Sequence, residues 1–178
     1  VLHAVESGHL GVVKLLVEGG AGLEDDFKGQ TLLMRAAALG YMDLVEWLLD
    51  QGVDVNHGSP MGTTPLMFAA RTGNMDMLKL LAERGANVDS KDIHEETALF
   101  LAVRAGQLEA VKWLHEKGLD TNATRNDGAG LLLAAAHIQD LEMLEWLLGQ
   151  GVDPNATDDN GLSPLIVAAT YENPNLAQ

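Results

Sequence analysis

Six histidines and a surplus of carboxylates are the residues of this chain that could do chemistry. His3, His9, His57, His94, His115 and His137 could ligate a metal or carry protons if partners stood within reach. Their spacing does not supply that. No His-Glu-x-x-His frame occurs, so the helix-borne zinc motif is missing. The stretch Asp153-Pro-Asn155-Ala-Thr157-Asp158-Asp159-Asn-Gly161 looks like a calcium loop, but such a loop needs Gly at its sixth place and Glu at its twelfth, and these hold Asp158 and Pro164. Glu95 and Glu96 are adjacent and point apart, whereas an acid/base pair on a helix sits three or four residues apart. There is no Gly-Lys-Ser/Thr phosphate loop, no Gly-x-Ser-x-Gly elbow and no cysteine. No enzyme, cofactor, metal site or small-molecule substrate is expected.

Charge narrows the partners. The 178 residues carry 26 acids against 11 bases, a formal net charge of −15. Such a surface repels nucleic acid, whose phosphates are bound by Lys and Arg. It equally disfavours an anionic membrane, and no apolar run is long enough to span a bilayer. The lack of Cys fits a reducing compartment, so an intracellular, cytoplasmic setting is expected. The chain opens on Val1 with neither a basic leader nor an initiator Met, and reads as a piece of a longer protein.

The elements that hold these residues repeat. Gly20, Gly52, Gly85, Gly118 and Gly151 each follow a Leu-rich run, spaced 32, 33, 33 and 33 residues apart. A second series, Gly8, Gly40, Gly73 and Gly106, runs at the same period, with Gln139 in the fifth place. A third opens each unit at Thr31, Thr64, Thr97, Gly130 and Ser163. Between these marks lies an Ala-rich short helix, capped by the Thr and ended by the central Gly. A second, amphipathic helix follows, such as 42–49, and then a polar loop such as 54–60.

Gly62-Thr-Thr-Pro-Leu-Met-Phe-Ala-Ala70, Gly73-Asn74, Leu80-Leu81 and Gly85-Ala-Asn-Val-Asp89 resemble the ankyrin repeat, and the pattern returns at Gly161-Leu-Ser-Pro-Leu-Ile-Val-Ala-Ala169. Met67 stands where that family's signature has His. The resemblance covers nearly the whole chain. It implies an all-α solenoid of about six stacked helix-turn-helix units with hairpin loops, divided as 1–25, 26–58, 59–91, 92–124, 125–157 and 158–178. The first and last units are incomplete, and either further sequence or an irregular segment should cover Leu165 and Leu176. Asn173-Pro174 is placed to start a last helix.

Two departures from the pattern are expected to be structural. His115 takes the second place of a Leu-Leu pair, where Leu16, Leu49, Leu81 and Leu148 stand, and reads as a half-buried His bonded to a loop carbonyl. Trp47, Trp113 and Trp146 recur at one repeat position filled elsewhere by Leu15 and Leu80, which points to packing, with Trp113 and Trp146 neighbours on adjacent helices.

The resemblance also implies where a partner binds: in the concave groove lined by hairpin tips and first helices. Carried over, the tips are Phe27-Lys28, Pro60-Met61, Ile93-His94, Asn126-Asp127 and Asp159-Asn160. Glu96 precedes a unit-opening Thr. The first helices offer Arg35, Phe68, Leu101 and, one helical turn later, Arg71, Arg104 and His137. Phe27, Met61 and Ile93 form an apolar row of the kind that marks binding sites. Only the third unit has positive net charge, +1, and three of the five Arg fall on groove positions. The fit is to a protein or peptide with an acidic residue and an aliphatic anchor, since guanidinium forks grip carboxylates. The competing expectation is that these arginines bridge to carboxylates of the array itself. The function expected is a non-catalytic protein-interaction module; the alternative is a structural or autoinhibitory segment of a larger enzyme, channel or effector.

Overall fold

A computed structural model describes residues 1–23 and 29–170. Among these are eleven helices: α1 (Leu2–Glu6), α2 (Leu10–Glu18), α3 (Leu32–Leu39), α4 (Met42–Asp50), α5 (Pro65–Thr72), α6 (Met75–Glu83), α7 (Ala98–Arg104), α8 (Leu108–Glu116), α9 (Leu131–Ile138), α10 (Leu141–Gly149) and α11 (Pro164–Thr170). None of the described helices is long and apolar enough to cross a membrane. The architecture is the all-α repeat solenoid that the resemblance implies.

The odd-numbered helices stack on one another in chain order, from α1 through α11, and each even-numbered helix packs behind the odd one before it, down to α10 behind α9. Alanine makes the close stacking possible. Ala36, Ala37, Ala69, Ala70, Ala102, Ala135 and Ala136 are buried between helices, interleaved with Leu32, Leu66, Leu99 and Leu132. Each inner helix starts where expected. Thr31 Oγ1 accepts from the Met34 amide at 3.2 Å, and Thr64 and Thr97 accept from Met67 and Phe100 at 3.4 Å. Ser163 does the same for Ile166 at 3.3 Å. Leu165, by contrast, is 66% exposed. Leu176 and Asn173-Pro174 lie outside the described residues, as do Phe27 and Lys28.

The central Gly ends the inner helix in the left-handed region, as at Gly40 (φ 77°) and Gly73 (φ 69°). Gln139 holds the same conformation at φ 57°. A further series at this period was not evident beforehand. Gly29, Gly62, Gly128 and Gly161 all have positive φ at the hairpin tips, and Glu95 (φ 63°) fills the remaining place. The tips are linked by single backbone bonds: Ile93 N–H to the Met61 carbonyl (3.0 Å), Asn126 to His94 (3.2 Å) and Asp159 to Asp127 (3.0 Å).

Burial corrects one register. Leu48, Leu81, Leu114 and Leu147 are all fully buried and share one position. His115 therefore aligns with Leu49, Ala82 and Leu148, which are less buried, and not with Leu81. Its expected setting holds: it is half-buried, and Nδ1 donates to the Leu119 carbonyl at 3.2 Å. Trp47, Trp113 and Trp146 pack against the main core. Trp113 and Trp146 sit on adjacent outer helices, but the ring that Trp146 meets is His115, edge-on at 5.5 Å.

A side chain at positive φ costs about 1 kcal/mol or more, which glycine does not incur. Gln139→Gly is therefore expected to raise stability by about 1 kcal/mol, read as a higher urea midpoint. Gly62→Ala should do the reverse and by more, because its Cβ would stand 3.0 Å from the Asp92 Cα at φ 79°. An unchanged midpoint in both variants would contradict this account of the turns.

Candidate functional site

Hairpins and inner helices line the groove face, and two hollows open on it. The first, about 420 Å³, lies between the second and third units and is lined by Gln30, Pro60, Met61, Thr63, Phe68 and Arg71. Phe68 is buried at the base, and the Arg71 guanidinium lies 4.9 Å from its ring centroid. Met61 stands at the rim, half exposed. Ile93, on the next tip, is 53% exposed.

The second hollow, about 480 Å³, is lined by residues of the fourth, fifth and sixth units. Its walls include Phe100, Leu133, Ile138 and Leu162 beside Arg104 and Arg125. Here the guanidinium charges are paired within the array, although Arg125 Nε is buried without a hydrogen-bond partner among the described residues. The Glu96 side chain is only 4% exposed, and Arg104 Nη1 reaches both of its oxygens, at 2.8 and 2.9 Å. Arg125 Nη1 lies 3.2 Å from the same carboxylate, and its Nη2 lies 3.0 Å from Asp127. A buried carboxylate needs this matching, since an isolated charge away from water is unstable.

The other groove arginine is also engaged. Arg35 donates to Glu6 at 2.8 Å and to Gln30 at 3.2 Å. Two of the three groove arginines therefore bridge within the array. Arg71 is the one guanidinium among the described residues that faces no carboxylate, since Arg84 pairs with Asp50. Leu101 packs half-buried on the core, while His94 and Asn126 sit exposed at their tips. His137 donates from Nδ1 to the Leu133 carbonyl at 3.0 Å and keeps an exposed ring on the wall of the second hollow.

Arg125 was not singled out by sequence, although a signal existed. It stands at period 33 with Ser59, Asp92 and Asp158. Those three fold their own hairpins: Ser59 Oγ accepts from Met61 and Thr63 amides, Asp92 Oδ1 from His94 and Glu96, and Asp158 Oδ1 from Asn160 and Leu162. A cation cannot accept such bonds, so Arg125 is available to turn toward Glu96. In its unit Asp127 Oδ1 serves the Ala129 amide instead, at 3.2 Å.

Two carboxylates are held below their ordinary range. For Glu6 the chief cause is the Arg35 hydrogen bond, then that of His3. For Asp158 it is the Leu162 amide, followed by Asn160 and the charge of His137. The calcium-like stretch uses its carboxylates on its own turns, with Asp153 Oδ1 accepting from the Asn155 amide at 2.9 Å. Among the described residues no three His, Asp or Glu side chains gather as a metal site would need.

The networks make two expectations. Glu96→Ala leaves two guanidiniums without their shared partner and should cost about 3 kcal/mol, whereas Arg104→Ala, which leaves Arg125 in place, should cost about 1 kcal/mol or less. Urea unfolding of the two variants checks the asymmetry. A depressed carboxylate stabilises the fold above its unfolded pKa, and that contribution fades as pH falls through the folded value. Stability should therefore drop as pH falls below 4.5, the ordinary value of Glu6, and the drop should be shallower in Arg35→Met. Thermal melts across the acid range read both.

Comparison with known proteins agrees with this geometry. A family model described as ankyrin repeats in three copies matches residues 1–59 and 55–125, and one described as ankyrin repeats in many copies matches 132–178. No curated protein matches the chain significantly.

Proposed function

The chain belongs to the ankyrin-repeat family, whose members are generally protein–protein interaction modules, and from that premise we propose that it is a non-catalytic module gripping a partner segment in its groove. The observation carrying this reading is Arg71. Its guanidinium is exposed, faces no carboxylate among the described residues, and is backed by Phe68 beside the half-exposed Met61. A planar fork of this kind accepts a carboxylate in two parallel hydrogen bonds. The apolar rim at Met61 suits an aliphatic side chain beside that acid. The preferred partner is a protein segment with an acidic residue next to Leu, Ile or Val. Arg35 and Arg104 serve the array, holding Glu6 and Glu96, and take a supporting part.

The test is affinity capture of partners by the intact chain, by Arg71→Ala and by Met61→Asp. The same prey should be lost in both variants while their melting temperatures stay within about 2 °C of the parent, as expected of surface changes. Retention of that prey by both would overturn the reading.

A further inference from the structure

The two hollows of the groove differ in charge. The one at Arg71 has a guanidinium and no carboxylate among its lining residues. The one lined by the fourth to sixth units has two guanidiniums, but Glu96 and Asp127 already neutralise them. Asp158 remains on its wall and faces no Lys or Arg among the described residues. Its Oδ1 accepts two amides of its own turn, at 2.9 and 2.8 Å, and its Oδ2 the Asn160 side-chain amide at 3.5 Å, so the carboxylate is fixed in place with the His137 ring as its basic neighbour on the hollow's wall. Phe100 and Leu133 form the buried floor beneath it, with Leu162 half-buried and Ile138 exposed at the edge. The fifth unit, 125–157, carries one base against five acids.

We infer that this second hollow takes a bulky aliphatic residue together with a neighbouring Lys or Arg of the same partner segment, giving the groove two ends of opposite charge. The inference deepens the reading above and rests on it. The aliphatic side chain fills the Phe100–Leu133 floor, and the cation approaches Asp158. Asp158, in the sixth unit, lies three repeat steps from Arg71, in the third. At about 10 Å per stacked helix and about 3.3 Å per extended residue, the basic residue falls about nine residues from the acidic anchor. Opposite charges at the two ends also fix chain direction, because a reversed segment would set acid against Asp158 and base against Arg71.

Selection from a phage library of random 16-residue peptides on the intact chain tests this. Enriched peptides should carry an acid next to an aliphatic residue and, about eight to ten residues away, an aliphatic–basic pair in one fixed order. A synthetic enriched peptide should bind about threefold more weakly to Asp158→Asn, which keeps the turn-forming oxygen while removing the charge. Ala129→Lys, on the same wall but outside that turn, should weaken it as well. Peptides that depend on Arg71 but lack a basic residue, or that bind both variants as tightly as the parent, overturn this inference and leave the Arg71 reading standing. No enrichment, or enrichment indifferent to Arg71→Ala, overturns both.

Discussion

A pair of helices of seven to nine residues leaves one apolar face that nothing in the pair can cover. Every other feature of this molecule follows from how that face is buried. Leu66, Leu99 and Leu132 are buried because an inner helix lies on each side, and the equivalent Leu165 on α11 is exposed at 66%. Alanines in the same helices let the stack close. The hairpins are then carried into line by the helices beneath them, and one backbone hydrogen bond between successive tips suffices to set their register.

Stacking also decides the electrostatics. Charges that the repeat brings onto the groove face either find a partner on their own or an adjacent unit or stay in water. Glu96 lies too deep to remain alone, and Arg104 and Arg125 converge on it. Arg35 meets Glu6 across the first interface. Arg71 falls where the repeat supplies no acid, so it remains open over Phe68. What the array leaves unmatched, and what the proposed recognition would read, is a cation in the third unit and the Asp158 carboxylate in the sixth.

Much of this was legible in the residues. Thr31, Thr64 and Thr97 announced the helix starts, and Gln139 was visible as the one break in the central glycine series. Gly62 and Gly161 open the repeat motif, but the tip glycines do not read as a series, because Glu95 interrupts it and because a tip tolerates many residues when φ is ignored. Chemistry across units was harder. Arg35, Arg71 and Arg104 look alike in sequence, and only the packed array separates two that are held from one that is not. Arg125 was passed over because its place in the hairpin belongs to turn-forming acceptors, and its partner Glu96 precedes it by 29 residues. His115 shows the limit of counting along a Leu-Leu pair: burial, which no residue letter records, sets its register one place away.

The central claim is that among these guanidiniums Arg71 alone is open to a partner's carboxylate. Arginine Nε–Hε NMR during titration with a blocked Asp-Leu dipeptide addresses it at once. The account predicts that the Arg71 resonance moves and saturates while those of Arg35 and Arg104 hold still. Movement of Arg104 or Arg35 with Arg71 unchanged would contradict it.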